Sequence, residues 1–164
     1  MKHLIDAYAP AEMAQRVLKV GVAKAKLPAA DSMILAVLAG AFIGLGAAFA
    51  TLTTTNPEMG FGPARILGGL SFSLGLILVV VAGAELFTGN NLVAMAWASR
   101  QITTKQILRN WVLVYIGNFF GSVGTALLVY WSGTWALADH GVALNALNIA
   151  AAKCDLSWTE AFVR

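Results

Sequence analysis

Ile66-Leu67-Gly68-Gly69-Leu70-Ser71-Phe72-Ser73-Leu74-Gly75-Leu76-Ile77-Leu78-Val79-Val80-Val81-Ala82-Gly83-Ala84 carries no charge and runs directly into Glu85-Leu86-Phe87-Thr88-Gly89-Asn90-Asn91. Residues 92–98 then turn apolar again. The first part is about as long as a helix needs to be to cross roughly 30 Å of hydrocarbon. Its junction with the polar residues admits two readings. A single helix could end at Glu85 and give way to an ordinary loop, or the span could be a broken helix that resumes at 92–98. The apolarity of 92–98 favours a span over residues 66–98 broken near 86–91. Irregular backbone is tolerated at membrane depth only where it lines a cavity or is covered by protein, and such breaks mark substrate sites in transporters. Gly89, Asn90 and Asn91 are turn formers, and the Thr88 hydroxyl can both donate and accept, so Thr88–Asn91 is the candidate helix-break loop.

Residues 32–57 and 110–138 are likewise free of Asp, Glu, Lys and Arg. The 164-residue chain is 59% hydrophobic and 12% charged, with a mean hydropathy of +0.73. A soluble helical core would keep a polar face along each helix, so the pattern reads as an all-α integral membrane protein. The spans fall at about 32–54, 66–98 and 106–132, with a further helix starting near 156. Gly40, Gly44 and Gly46 on the first span and Gly117, Gly121 and Gly124 on the third allow close backbone approach, which drives helix association in lipid. Asn56, Pro57, Gly60, Gly62 and Pro63 read as a turn between the first two spans. Trp111, Tyr130, Trp131 and Trp135 stand where interfacial aromatics are expected.

Lys2, Arg16, Lys19, Lys24 and Lys26 precede the first span, and Arg100, Lys105 and Arg109 lie between the second and third. Arg65 alone separates the first from the second, and Lys153 alone lies between the third span and Arg164. The positive-inside rule places the N-terminus in the cytoplasm, for a multi-pass protein of the inner (plasma) membrane. No signal-peptide pattern is visible. Residues 9–27 read as an amphipathic helix, with Pro10 in the first turn and a basic face that suits lipid headgroups or packs under the membrane domain. The chain therefore divides at 1–31, a cytoplasmic N-terminal segment, and 32–164, the transmembrane domain. The basic residues form no stripe that would suit nucleic acid. Cys154 is the only cysteine, which excludes an intrachain disulfide and any CxxC pair. No catalytic triad, metal-ligand spacing or phosphate-binding loop stands out, so neither an enzyme nor a cofactor is expected.

The run Gly68-Gly69-Leu70-Ser71-Phe72-Ser73-Leu74-Gly75-Leu76-Ile77-Leu78 with Gly83-Ala84-Glu85-Leu86-Phe87-Thr88-Gly89-Asn90-Asn91, and then Arg109-Asn110-Trp111 and Tyr115-Ile116-Gly117-Asn118, resembles the N-terminal half of the formate/nitrite transporter family. The resemblance implies a channel or transporter for small monovalent anions such as formate or nitrite. It also implies homopentamers with a pore in each protomer and an aquaporin-like fold of inverted repeats, of which this chain would hold the first. It places Phe72 and Leu76 at an outer constriction and Leu86 and Phe87 at an inner one. Thr88 would open the broken loop, and Lys153 would draw anions to the pore. Physically, apolar constrictions make an anion shed water, and the Thr88 hydroxyl could replace part of that hydration. Without the resemblance, the four constriction residues read equally as lipid-facing or packing residues, and Lys153 as a solvated loop residue. Glu85, ionisable at the end of an apolar span, is a functional candidate by position; a structural role, anchoring the break through hydrogen bonds or an ion pair with Lys or Arg, is the preferred expectation.

The second inverted repeat, the family's central pore histidine and the partner break are absent from the sequence, and His3 and His140 cannot stand in for that histidine. The chain therefore reads as a fragment of a longer protein. The alternatives are an aquaporin-like neutral-solute channel, against which the absence of Asn-Pro-Ala motifs speaks, and a half-pore with no transport activity alone.

Overall fold

The computed structural model describes residues 8–56, 58 and 60–163. Lys2, His3, Pro57 and Arg164 lie outside them. The described residues form only helices: α1 (Pro10–Lys26), α2 (Ala29–Thr53), α3 (Phe61–Val81), α4 (Phe87–Asn90), α5 (Val93–Ala98), α6 (Thr104–Trp131), a 3-10 turn (Thr134–Ala136), α7 (Gly141–Cys154) and α8 (Trp158–Val163). Three of them, α2, α3 and α6, are 21 to 28 residues long and apolar enough to cross a membrane. At about 1.5 Å per residue each reaches 30 Å or more.

Local chemistry sets the helix ends. Pro10 sits in the first turn of α1, with Glu12 near its N-terminus and Lys24 and Lys26 in its last turn, an arrangement that suits the helix dipole. Leu27, ahead of Pro28, is its C-cap. A capping box opens α6: Thr103 N donates to Gln106 Oε1 at 2.8 Å and Gln106 N to Thr103 Oγ1 at 3.3 Å. Ser157 and Glu160 do the same for α8. The structure carries Gly62 and Pro63 inside α3 rather than in the preceding turn, since a first-turn proline has no amide hydrogen that the helix would use.

The described residues fall into two compact units. One comprises the chain up to Gly40 together with Val79–Gly121. Its core is Ala25 of α1, Val93 and Ala96 of α5, Ile102, and Ile107 of α6. Gly21 brings the α1 backbone onto α5, since a Cβ there would stand 3.2 Å from that of Ala96. The apolar stretch after the break is therefore covered by protein on its α1 side. In the same unit α2 meets α6 through Gly40 against the Asn118 backbone and Gly117 against Ala36.

The second unit comprises Ala41–Leu78 and Ser122 onward. Here a Cβ on Gly44 would press on Thr125 at 2.9 Å, while one on Gly46 would lie 2.8 Å from Phe72 O, beside Gly75. Gly40 and Gly44, four residues apart, share a face turned to α6, whereas Gly46 lies about 240° around the helix from Gly40 and meets α3. The small residues of the first span thus serve two faces. Of the third-span glycines, Gly117 is packed, but a Cβ on Gly124 would meet nothing within 4 Å. Helix α7 is tied to α2 by Asn145, whose Nδ2 donates to Thr51 O at 2.9 Å and Thr54 Oγ1 at 3.1 Å. The sequence reading has no helix there; it treats the surroundings of His140 and Lys153 as a connecting segment.

Candidate functional site

The interruption of the second span lies earlier than expected. α3 ends at Val81, and Gly83 adopts φ +62. Gly83 N donates to Val80 O at 3.2 Å and Ala84 N to Val79 O at 3.0 Å. This is the paired 5→2 and 6→1 bonding of a helix closed by a left-handed glycine, which a residue with a Cβ rarely adopts. The irregular backbone therefore occupies residues 82–86. The proposed loop is corrected accordingly: Thr88, Gly89 and Asn90 belong to the short helix α4 and Asn91 caps it in right-handed helical conformation.

The backbone groups of the break are taken up by neighbouring helices. Glu85 N donates to Leu35 O of α2 at 3.2 Å. A single side chain from α6, Asn118, joins the break to both neighbouring helices: its Nδ2 donates to Glu85 O at 2.9 Å and to Ala36 O of α2 at 2.7 Å, and its Oδ1 accepts from Phe87 N of α4 at 2.9 Å. The backbone N–H and C=O of Glu85 are thus turned to protein rather than toward a pathway, as non-helical backbone at membrane depth requires, while Ala82 and Gly83 stay exposed.

Beneath the break lies a polar network. Glu85 is 3% exposed and Asn90 wholly buried. Lys24 Nζ of α1 stands 2.6 Å from Glu85 Oε1 and donates to Asn90 Oδ1 at 3.0 Å. Asn90 Nδ2 donates to Glu85 Oε2 at 2.6 Å and to Asn110 Oδ1 at 3.0 Å. Asn110 Nδ2 reaches Lys24 O, Trp111 Nε1 donates to Asn90 O at 3.0 Å, and Arg109 Nη1 donates to Leu27 O at 3.1 Å. The Arg109-Asn110-Trp111 run is therefore a clamp that joins the last turn of α1 to α4. Trp111, read from the sequence as an interfacial aromatic, spends its N–H on the last residue of α4. Asn90 is a network member, not a pore-lining loop residue.

Removing one partner of a buried ion pair leaves the other charge uncompensated. Lys24 keeps 25% side-chain exposure, so we expect Glu85→Gln to lose up to about 3 kcal/mol. Thermal unfolding followed by size-exclusion chromatography should show a lower melting temperature and less folded protein for Glu85→Gln. Wild-type yield and melting temperature would contradict this structural role.

The remaining sequence candidates fall in both units. Leu86 and Phe87 are half-buried, and Thr88 and Gly89 exposed, in the first. The Phe87 ring meets that of Tyr115 edge-on, with centroids 5.4 Å apart. Phe72 and Leu76 lie one turn apart on α3 in the second unit, 41% and 50% exposed. Lys153 is exposed in the last turn of α7, beside a cleft of about 650 Å³. The sequence reading puts Lys24 only on the basic face of residues 9–27, and Asn110 and Asn118 only among the residues of the family resemblance. For the two asparagines the available signal is an uncharged amide in an otherwise apolar span, which in lipid demands a partner.

A helical chain with three membrane-length helices, one interrupted and pinned through polar side chains of another, defines a multi-pass membrane protein with a broken span. The sequence profile described as Formate/nitrite transporter matches residues 11–164, and the chain belongs to that family. It is 41% identical over 157 residues to the formate channel FocA of Escherichia coli (strain K12), covering 95% of this chain and 55% of that protein. A solved structure titled "Pentameric formate channel with formate bound" superposes with a TM-score of 0.77 at 40% identity, over 82% of this chain and 53% of the other. One titled "FNT family ion channel" gives 0.69 at 25% identity, over 75% and 50%. The chain spans about half the length of the curated relatives it matches.

Proposed function

We propose that the chain supplies the first three membrane helices of a pore for small monovalent anions such as formate or nitrite, assembled as a homopentamer. Family membership supports this reading, as do the formate channel among its relatives and the pentameric channel among the similar structures. The observation that carries it is the break at residues 82–86, which ends α3 inside an apolar span, is pinned at Glu85 by α2 and α6, and leaves the adjoining Thr88 exposed. Its role is transport, not catalysis. Residues 1–31 form a cytoplasmic segment and 32–164 the membrane domain, in the inner (plasma) membrane with the N-terminus in the cytoplasm. Phe72 and Leu76 form the outer apolar constriction, and Leu86 and Phe87 the inner one. Lys153 attracts the anion.

In this account the Thr88 hydroxyl donates to the anion as it sheds water at the Leu86–Phe87 constriction. One hydrogen bond to a charged group contributes about 1.5 kcal/mol, so Thr88→Val should lower formate flux about tenfold in proteoliposomes and leave the oligomer intact. Unaltered formate and nitrite flux would remove Thr88 from the pathway. Phe72→Ala and Phe87→Ala should each admit larger carboxylates such as lactate more readily; an unmoved permeability ratio in both would overturn the constriction assignments.

A further inference from the structure

The charge pattern leaves the face on which α3 begins and α6 ends almost free of basic residues, and the two exceptions line one cleft. Arg65, in the second turn of α3, and Lys153, in the last turn of α7, are far apart in sequence yet line the same cleft of about 650 Å³ within one unit. Asn145 and Asn148 line it too, and the hydrogen bonds of Asn145 to Thr51 and Thr54 fix that wall. Among the described residues the ion pair is Lys24–Glu85, so neither Arg65 nor Lys153 has a carboxylate within ion-pair distance there. The Arg65 guanidinium is 5.1 Å from the Phe61 ring centroid, and Phe61 also lines the cleft. An aromatic face holds a guanidinium without consuming its hydrogen-bond donors.

We propose that Arg65 is a second anion-recruiting residue, which with Lys153 makes this cleft a two-cation binding site for small monocarboxylates ahead of the pore. The inference rests on the proposed transport function. A planar guanidinium can grip both oxygens of a carboxylate, whereas an ammonium offers a point charge. A low-dielectric cleft carrying charge of one sign raises the local concentration of the opposite ion, and does so less as salt rises. Arg65 therefore acts on saturation, not on the maximal rate.

The test measures formate uptake against formate concentration, at low ionic strength, in proteoliposomes of the protein expressed from its complete reading frame. Arg65→Gln should raise the half-saturating concentration about threefold with the maximal rate unchanged, and Arg65→Gln with Lys153→Gln about tenfold. Arg65→Lys should recover part of the loss, and added salt should narrow every difference. To separate charge from folding, Arg65→Cys, on a background with Cys154 and every other cysteine of the complete reading frame replaced by Ser, is assembled first and then modified with a cationic or an anionic methanethiosulfonate; the cationic reagent should lower the half-saturating concentration and the anionic one raise it. Indistinguishable saturation after the two reagents overturns the role of Arg65, as does wild-type saturation of Arg65→Gln. A parent protein that passes neither formate nor nitrite would instead overturn the transport reading itself.

Discussion

Gly40→Val should abolish the folded oligomer. A Cβ at Gly40 would run into the carbonyl group of Asn118, whose C and Cα atoms would lie 2.8 Å away. The obstacle is backbone, so no side-chain rotation relieves it, and α2 and α6 must separate at the residue that organises the break. Small-to-large changes in packed cores typically lose about 1–3 kcal/mol; with backbone as the obstacle we expect about 4 kcal/mol or more. In lipid the loss is not softened by a hydrophobic effect between helices, because association depends on close packing. Gly124→Ala is the internal control, since its Cβ meets nothing within 4 Å, and Ala is the better helix former by about 1 kcal/mol. Thermal unfolding followed by size exclusion should show no oligomer for Gly40→Val and unchanged or higher stability for Gly124→Ala. Normal assembly of Gly40→Val would contradict the described α2–α6 crossing.

Asn118→Leu is the second large effect. The substitution keeps approximate volume but leaves Glu85 O, Ala36 O and Phe87 N without the side-chain partner they now share. A buried polar group left unsatisfied costs about 1–3 kcal/mol; Ala36 O keeps its helical bond within α2, so Glu85 O and Phe87 N together come to about 4 kcal/mol, against a total stability of only about 5–15. Asn118→Asp tests the assignment of the bonds: it keeps the acceptor for Phe87 N but sets a carboxyl oxygen against Glu85 O and Ala36 O, and should be no more stable than Leu. If Asn118→Leu matched wild type in yield and melting temperature, Asn118 would not be what holds the break.

The three spans were legible because the absence of charge over membrane length is a one-dimensional signal. The break was legible as a break, from Glu85 and the polar residues after it, but its position was not. Gly83 was read as one more small residue of an apolar helix, and only its left-handed backbone shows that it terminates α3. Asn90 was read as a turn former because Asn commonly is one; its burial depends on Lys24, Glu85 and Asn110, brought together from separate helices. Helix α7 is shorter than a membrane span and mixes Asn145 and Asn148 among Ala, Leu and Ile, so the absence of charge that marks the three spans does not mark it, and its position depends on Asn145 meeting α2. What the sequence could not supply was in each case a contact between distant segments.

Passage of a small anion through the assembled protein tests the account most directly. In proteoliposomes of the protein from its complete reading frame, stopped-flow light scattering should show fast re-swelling with formate and nitrite, and glycerol entry no faster than through empty vesicles. Glycerol permeation with formate and nitrite excluded, from a preparation shown to be assembled, would contradict it.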